Sequence, residues 1–390
     1  MSVLWERYVF RRGLGVIELW DDLFRNRMPK AKPLFVAGCG FDVRVRAVLE
    51  RFLHSARVGE YALQEPLLLL IEYTGYELDP ELQEKTAENC KALRGLFEPF
   101  GNVIPLKVQL AGDEEHRTTA ALREAAQAVN THLVGRTDIL LDVSSLPRVL
   151  YLSLMTSILA RLIPDVRATA ARVAGGVNFQ VLVAEDAALD ASIQSEDPSE
   201  NLVTIPGFGG GFNVESMSDW PVVWFPMLGE GRTNQFEKVR QHAPIPNDAE
   251  ICPVLPHPSR NPRRGDMLML EYRRHLFDTQ RIPMSNIVYA HELNPFEAYR
   301  QLRNTLRHYQ QSLQPLGGSR LLVTPLASKL MTVACGLACF EMRPPVGQDD
   351  YALGISYAPP TRYVASMQAL TASNPDISGL LLTGDAYMPQ

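Results

Sequence analysis

DILLDVSSLPR, residues 138–148, is the stretch whose reading decides the fold. The run Asp138-Ile-Leu-Leu-Asp142 has no polar alternation, which is the pattern of a strand buried on both faces of a sheet. Ser144, Ser145 and Pro147 then turn the chain, and Pro147 suits an early helical position. Residues 148–162 follow as a long apolar helix. A strand feeding a helix through small hydroxyl residues is half of a β-α-β unit.

The same alternation extends both ways. Upstream, strands are expected at 33–37, 67–71 and 103–108, and helices at 42–53, 80–97 and 120–133. In the first helix Val45, Val48, Leu49 and Phe52 recur at steps of three and four. Downstream a strand is expected at 178–184. The texture then changes. Residues 185–218 are acidic and end in a glycine-rich run at 207–212, and nine prolines fall between 206 and 262. Such a stretch predicts turns and few long helices. Alternation resumes with a helix at 267–277, strands at 286–290, 320–324 and 353–357, and helices at 296–313 and 328–341; the tail after Pro359 is weakly patterned. The reading is α/β: two tandem Rossmann-like units with parallel sheets, at 1–190 and 266–390, joined by an irregular Gly/Pro-rich segment at 191–265.

The halves rhyme twice. Strand 34–37 leads into GFDVRVR at 40–46, and strand 287–290 leads into NPFEAYR at 294–300. Strand 139–142 leads into VSSLPR at 143–148, and strand 321–324 into PLASK at 325–329. In the second pair a strand ends in small or hydroxyl residues and one cation precedes an apolar helix.

Composition bounds the class. At about 150 residues per domain, 390 residues make two or three domains. Lys and Arg number 38 against 44 Asp and Glu, a net charge of −6, with 46% hydrophobic and 21% charged residues. A disordered chain, a collagen-like chain and a basic nucleic-acid coat are excluded. The longest apolar stretch, 149–163, is flanked by Arg148 and interrupted by Arg161, so no membrane span and no membrane partner are expected. The start, MSVLWERYVFRRG, is not patterned as a secretion signal. Five cysteines without a C-x-x-C pair fit a reducing cytoplasm and give no structural zinc site. No metal is expected and no cofactor is specified.

Three places suit an anionic ligand. Ser144, Ser145 and Arg148 stand where a strand end meets a helix N-terminus, whose free N–H groups and partial positive charge attract anions. The alternative is that a serine caps the helix and Arg148 pairs with Asp142. Thr324, Ser328 and Lys329 repeat that arrangement. A lysine at a helix start opposes the dipole unless an anion joins it or solvent covers it. Gly38 and Gly40, with Asp42 and Arg44, follow the first strand, where Gly-x-Gly lets a nucleotide approach; a tight turn capped by Asp42 is the other reading. Glu72, at the second strand's end, could accept from a ribose hydroxyl, as could Glu77 or Asp79. Arg263 and Arg264, near Arg260, could clamp phosphates or pair with Asp266 and Glu271. His291-Glu292 with Asn294 is a weak acid–base candidate.

The strand–hydroxyl–cation–helix elements around 139–152 and 321–335, with Tyr357-Ala-Pro-Pro after the last strand, resemble the CRISPR-associated Rossmann-fold (CARF) sensor domains of antiviral defence. That resemblance implies a nucleotide second messenger, a homodimer and, as no nuclease is recognisable here, a separate effector protein. At the second site a Gly-Gly-Thr-Lys type turn is replaced by Pro325-Leu-Ala-Ser-Lys329. GCGFDVR at 38–44 and YELDP at 76–80 are similar to motifs of carboxyl methyltransferases, which implies S-adenosylmethionine; Val43 departs from that pattern. A ligand-free scaffold subunit is the third reading.

Overall fold

The computed structural model describes residues 3–110, 115–164, 166, 176–186, 189–190, 193–212, 217–344 and 351–387. The chain forms two compact units. The first comprises Met1–Leu110, Ala121–Gln194 and Arg362–Gln390, and the second Ala111–Ala120 and Ser195–Thr361.

In chain order the first part supplies β1 (Val9–Arg12), α1 (Leu14–Phe24), β2 (Pro33–Cys39), α2 (Arg44–Val58), β3 (Leu67–Thr74), α3 (Pro80–Phe97), β4 (Asn102–Gln109), α4 (Glu115–Thr131), β5 (Asp138–Asp142), α5 (Arg148–Leu162) and β6 (Asn178–Glu185). Next come β7 (Gln194–Pro198), β8 (Val203–Gly209), β9 (Val222–Met227), α6 (Thr233–His242), β10 (Glu250–Ile251), β11 (Val254–Pro256), α7 (Arg264–Glu271), β12 (Val288–Ala290), α8 (Pro295–Leu313), β13 (Arg320–Pro325), α9 (Lys329–Glu341) and β14 (Ala352–Tyr357). The chain ends with β15 (Pro360–Val364), α10 (Met367–Ala372) and β16 (Asp376–Thr383).

The first sheet has the order β1-β16-β6-β5-β2-β3-β4, and β2 to β6 are parallel. The second has the order β12-β11-β9-β13-β14-β8, with β9, β11, β12, β13 and β14 parallel. β10 also pairs with β9, so one neighbour of β9 is a strand interrupted at Cys252-Pro253. If the five parallel strands of each unit are counted along the chain, both sheets read three-two-one-four-five. That is the doubly wound, Rossmann-like order. In each an antiparallel strand then covers the fifth: β16 on β6 and β8 on β14.

The two-sided burial expected of these strands is present. β2, β5, β9 and β13 are buried along their whole lengths. In the first unit, Phe35 and Ala37 of β2 pack with Val45, Val48, Leu49 and Phe52 of α2, and with Trp20 and Phe24 of α1. This burial is the main stabilising term, at about 25 cal/mol per Å² of apolar surface.

The boundaries differ from the sequence reading in two places. Residues 376–383 belong to the first sheet, between β1 and β6, and are not part of a C-terminal unit. The segment read as an irregular joiner holds β9, the first and central strand of the second sheet. Its prolines punctuate strands without abolishing them: Pro221 precedes β9, Pro226 is its penultimate residue, and Pro256 and Pro325 close β11 and β13. At a strand end few ladder bonds are lost to the missing N–H.

The rhymes sort accordingly. β5 and β13 are each the fourth strand of their unit, so the second rhyme matches equivalent elements. The first does not, because β12 occupies the third strand's place and β9 is the counterpart of β2. The interval from β2 at Pro33 to β5 at Asp138 then nearly matches that from β9 at Val222 to β13 at Arg320.

Candidate functional site

Open parallel sheets bind ligands outside the carboxyl ends of their strands, at the point where the winding reverses. In the first unit that point lies between β2 and β5, and several residues singled out above gather there. Gly38 packs against the loop after β5: a Cβ on it would stand 2.5 Å from Leu146 Cδ2 and 3.1 Å from Ser145 Oγ. A Cβ on Gly40 would stand 2.8 Å from Tyr73 Oη and 3.1 Å from Ser145 Cβ. Ser145 Oγ donates to the Gly38 carbonyl at 2.8 Å, and Tyr73 Oη donates to the Ser145 carbonyl at 2.8 Å. These glycines let the two loops pack closely on each other.

The charges nearby are also committed. Arg44 is 3% exposed; its Nε meets Asp42 Oδ2 at 2.7 Å and its Nη1 meets Asp190 Oδ1 at 2.6 Å. Asp42 Oδ1 also accepts from the Arg44 amide at 2.9 Å, so the start of α2 is already covered by a carboxylate. Burial disfavours the Arg44 charge, but the two aspartates outweigh it and raise its pKa above the usual arginine value. Asp42 thus holds the turn into α2, as the capping reading has it, and Arg44 is held by two carboxylates. Ser144 is fully buried: its Oγ bonds Asp142 and accepts from the Ala184 amide at 2.8 Å. Arg148 stands half-buried at the first position of α5.

The second unit repeats this reversal between β9 and β13. Gly229 and Gly231, which the sequence reading did not single out, follow β9, whereas Gly38 lies in the last residues of β2 and Gly40 just after it. A Cβ on Gly229 would stand 2.2 Å from the Leu326 carbonyl oxygen, in the loop after β13. Thr324 is buried and accepts from Trp224 Nε1 at 2.9 Å, and Ser328 caps α9 by accepting from the Met331 amide at 3.4 Å. Lys329 follows, half-buried, as the first residue of α9. Arg264 is paired with Glu230 at 2.6 Å and with Glu292, partners other than the Asp266 and Glu271 expected. Arg263 is exposed, and its amide donates to Asn261 Oδ1 at 3.0 Å. His291 has a structural role in the turn before α8. Its Nδ1 accepts from the amides of Leu293 and Asn294, at 3.2 and 3.1 Å, where α8 begins.

An open space lies beside these loops. A cavity of about 500 Å³ lies at the carboxyl ends of β2 and β3, within the range of small-molecule sites. Cys39 and Glu72 form its floor and are register partners across β2 and β3. One face of α3, carrying Gln83, Thr86, Cys90, Lys91 and Arg94, forms its wall. That helix is fixed at its start by Asp79, which accepts from the Leu82 amide at 2.9 Å, and by Pro80. Arg94 Nη2 lies 3.6 Å from Glu72 Oε1, and Cys90 Sγ donates to the same oxygen at 3.7 Å. The cavity thus joins a carboxylate acceptor to two cations.

Of the residues singled out from sequence, Glu72 alone lines it. Lys91, Arg94, Cys39 and Cys90 were passed over, since α3 reads as a helix with an ordinary wet side. The available signal was Cys90, a thiol recurring with Gln83, Ala87 and Arg94 on that polar face. Among the described residues no three His, Cys, Asp or Glu side chains group to hold a metal ion, and no helix is long and apolar enough to cross a membrane.

Fold and site together define a two-unit Rossmann-like α/β protein with a small-molecule cavity in its first unit. No family model and no curated protein matches the chain. Among solved structures it is similar to a protein of unknown function from Pseudomonas aeruginosa PAO1, 11% identical over 87% of this chain and 94% of that one, with a TM-score of 0.22. It is also similar to a protein described as a candidate universal stress protein from Pseudomonas aeruginosa UCBPP-PA14, 12% identical over 87% and 95% of the two chains, with a TM-score of 0.23. Both likenesses are too distant to bear on activity.

Proposed function

We propose that this protein senses a phosphate-bearing nucleoside, held in the cavity of the first unit. Glu72 accepts from the ribose hydroxyls, and Lys91 and Arg94 meet the phosphate. The observation that carries this reading is the cavity itself. It combines an acid with two cations at the strand ends, beside loops that pack closely on each other. In keeping with the CARF resemblance, binding is proposed to act through a separate effector protein in antiviral defence, with the sensor as a homodimer.

Thermal unfolding against a panel of mono-, di- and cyclic nucleotides tests it. At least one phosphorylated nucleoside should raise the melting temperature, and Glu72→Gln or the pair Lys91→Ala and Arg94→Ala should remove that shift without altering the ligand-free melting point. No response to any nucleotide at millimolar concentration sinks the reading. One observation favours a second: Glu72 at the second strand's end also suits the ribose of an adenosyl cofactor. Stabilisation by S-adenosylhomocysteine, with none by phosphorylated nucleosides, would select a methyltransferase-like enzyme instead.

A further inference from the structure

Two thiols meet in the floor and wall of the cavity. Cys39 ends β2 and is 3% exposed; Cys90 lies on the third turn of α3 and is half-buried. Both converge on one carboxylate: Cys39 is the register partner of Glu72 across β2 and β3, and Cys90 Sγ donates to Glu72 Oε1 at 3.7 Å. Both cysteines are free. The chain holds a second close pair, Cys335 and Cys339, on successive turns of α9, but both are fully buried. The difference is access: the first pair lines an open cavity and the second is sealed in the core.

We propose that Cys39 and Cys90 are a reversible dithiol–disulfide pair, oxidised by a small-molecule disulfide that enters the cavity, and that the cross-link closes the cavity. The exchange balances without another reactant. The Cys90 proton passes to Glu72, and the Cys90 thiolate attacks one sulfur of the small disulfide. A mixed disulfide forms, and the expelled thiolate takes the proton from Glu72. Cys39 then attacks Cys90 Sγ, and the second small thiol leaves with the Cys39 proton. Two protein thiols and one small disulfide become one protein disulfide and two small thiols. The link ties α3 down onto β2 across the floor of the cavity, and it removes the S–H donor that Glu72 now accepts from. Burial raises both thiol pKa values and the Glu72 charge beside them pushes the same way, so the resting pair is protonated and the exchange is slow.

The linkage stands apart from the nucleotide reading; the closing of the cavity rests on it. The full chain is incubated natively with oxidised glutathione, alkylated, digested and mapped by mass spectrometry. The expected product is a Cys39–Cys90 cross-linked peptide pair, reversed by dithiothreitol, with Cys335 and Cys339 recovered as thiols. Cys39→Ala should trap glutathione on Cys90, and Cys90→Ser should leave Cys39 unmodified. Separate alkylation of Cys39 and Cys90 after oxidation overturns the linkage, as does a stable mixed disulfide on Cys90 in the unsubstituted chain. Nucleotide-induced stabilisation is then compared in reduced and oxidised protein. Loss on oxidation and recovery on reduction are expected; an equal shift in both states overturns the closing. A reduced protein that binds no nucleotide, yet forms the link, overturns the nucleotide reading and leaves the linkage standing.

Discussion

The two units wind their strands in the same order and differ in what they place beside the second strand. In both, a glycine at or just after the end of the first strand lies against the loop after the fourth: Gly38 against Leu146 and Gly229 against Leu326. In the first unit, the end of β3 then opens into a cavity lined by Glu72, Lys91 and Arg94. In the second, the loop after β9 is tied down by ion pairs, with Arg264 joining Glu230 and Glu292. The lesson is that Gly-x-Gly at a first strand end belongs to the winding. Its first glycine serves loop–loop contact in both units, while Gly231 meets nothing within 4 Å, and neither pair is evidence of a nucleotide. What makes a site is the furniture of the second strand and its following helix.

The largest expected effect breaks the comparison at its charges. Arg44 and Arg264 each bridge two carboxylates, but Arg44 is deeply buried and Asp42 is 6% exposed. Arg44→Ala strands a buried carboxylate and should cost about 4 kcal/mol in urea unfolding. Arg264 is less buried, its side chain 22% exposed, and it joins the exposed Glu230 as well as the buried Glu292, so the same change should cost less, about 2 kcal/mol. If Arg44→Ala leaves stability intact and removes nucleotide binding, Arg44 is a ligand clamp after all and the account of its ion pairs is wrong.

Next come the glycines. A methyl at Gly229 meets backbone at 2.2 Å, whereas at Gly38 it meets the far end of a leucine side chain at 2.5 Å. Gly229→Ala should therefore cost about 3 kcal/mol and Gly38→Ala about 1 kcal/mol, because Leu146 can turn and the Leu326 carbonyl cannot. Equal losses would show that the two loop contacts are more alike than their atoms suggest.

A third comparison locates the ligand. Lys91 and Arg94 face the cavity of the first unit, and Lys329 begins a capped helix in the second. The Lys91→Ala, Arg94→Ala pair should weaken nucleotide affinity at least tenfold, about 1.4 kcal/mol. Lys329→Ala should change it less than twofold. The reverse order, measured by titration calorimetry, would move the site to the second unit.

How much of this was legible depended on which signal each residue carries. The strands β2, β3, β5, β6, β13 and β14 announce themselves as apolar runs, because a parallel strand covered on both faces has no polar alternation to hide it. β9 was masked by Pro221 and Pro226, which argue against a central strand unless one sees that they stand at its ends. β16 was missed because its partners, β6 and β1, lie far back in the chain, so no local pattern marks Gly379-Leu-Leu-Leu382 as a central strand. Of the site, Glu72 was readable from its place at a strand end. Arg44 misled, because a sequence does not show that Asp190 comes round to meet it. Lys91 and Arg94 carry no signal that separates a cavity wall from a solvated helix face.

The smallest expected effect concerns the turn that leads into α8, which a ring nitrogen holds while Asn294 caps the helix itself. His291 Nδ1 accepts two amide protons, and protonating it would end both bonds. Burial lowers the His291 pKa, with His257 nearby pushing the same way and Glu297 opposing. The folded state therefore takes up this proton less readily than the unfolded chain, whose histidine titrates near the usual value of about 6.5. The sign follows: the contribution is present above that value and is lost as pH falls through the lowered folded pKa. Urea unfolding between about pH 8 and pH 5 should show stability falling on the acid side. His291→Asn keeps an acceptor for the same amides and does not titrate, so it should flatten that part of the profile. An unchanged slope in His291→Asn would assign the acid sensitivity to other groups and leave the ring as a neutral acceptor in this turn at every pH tested.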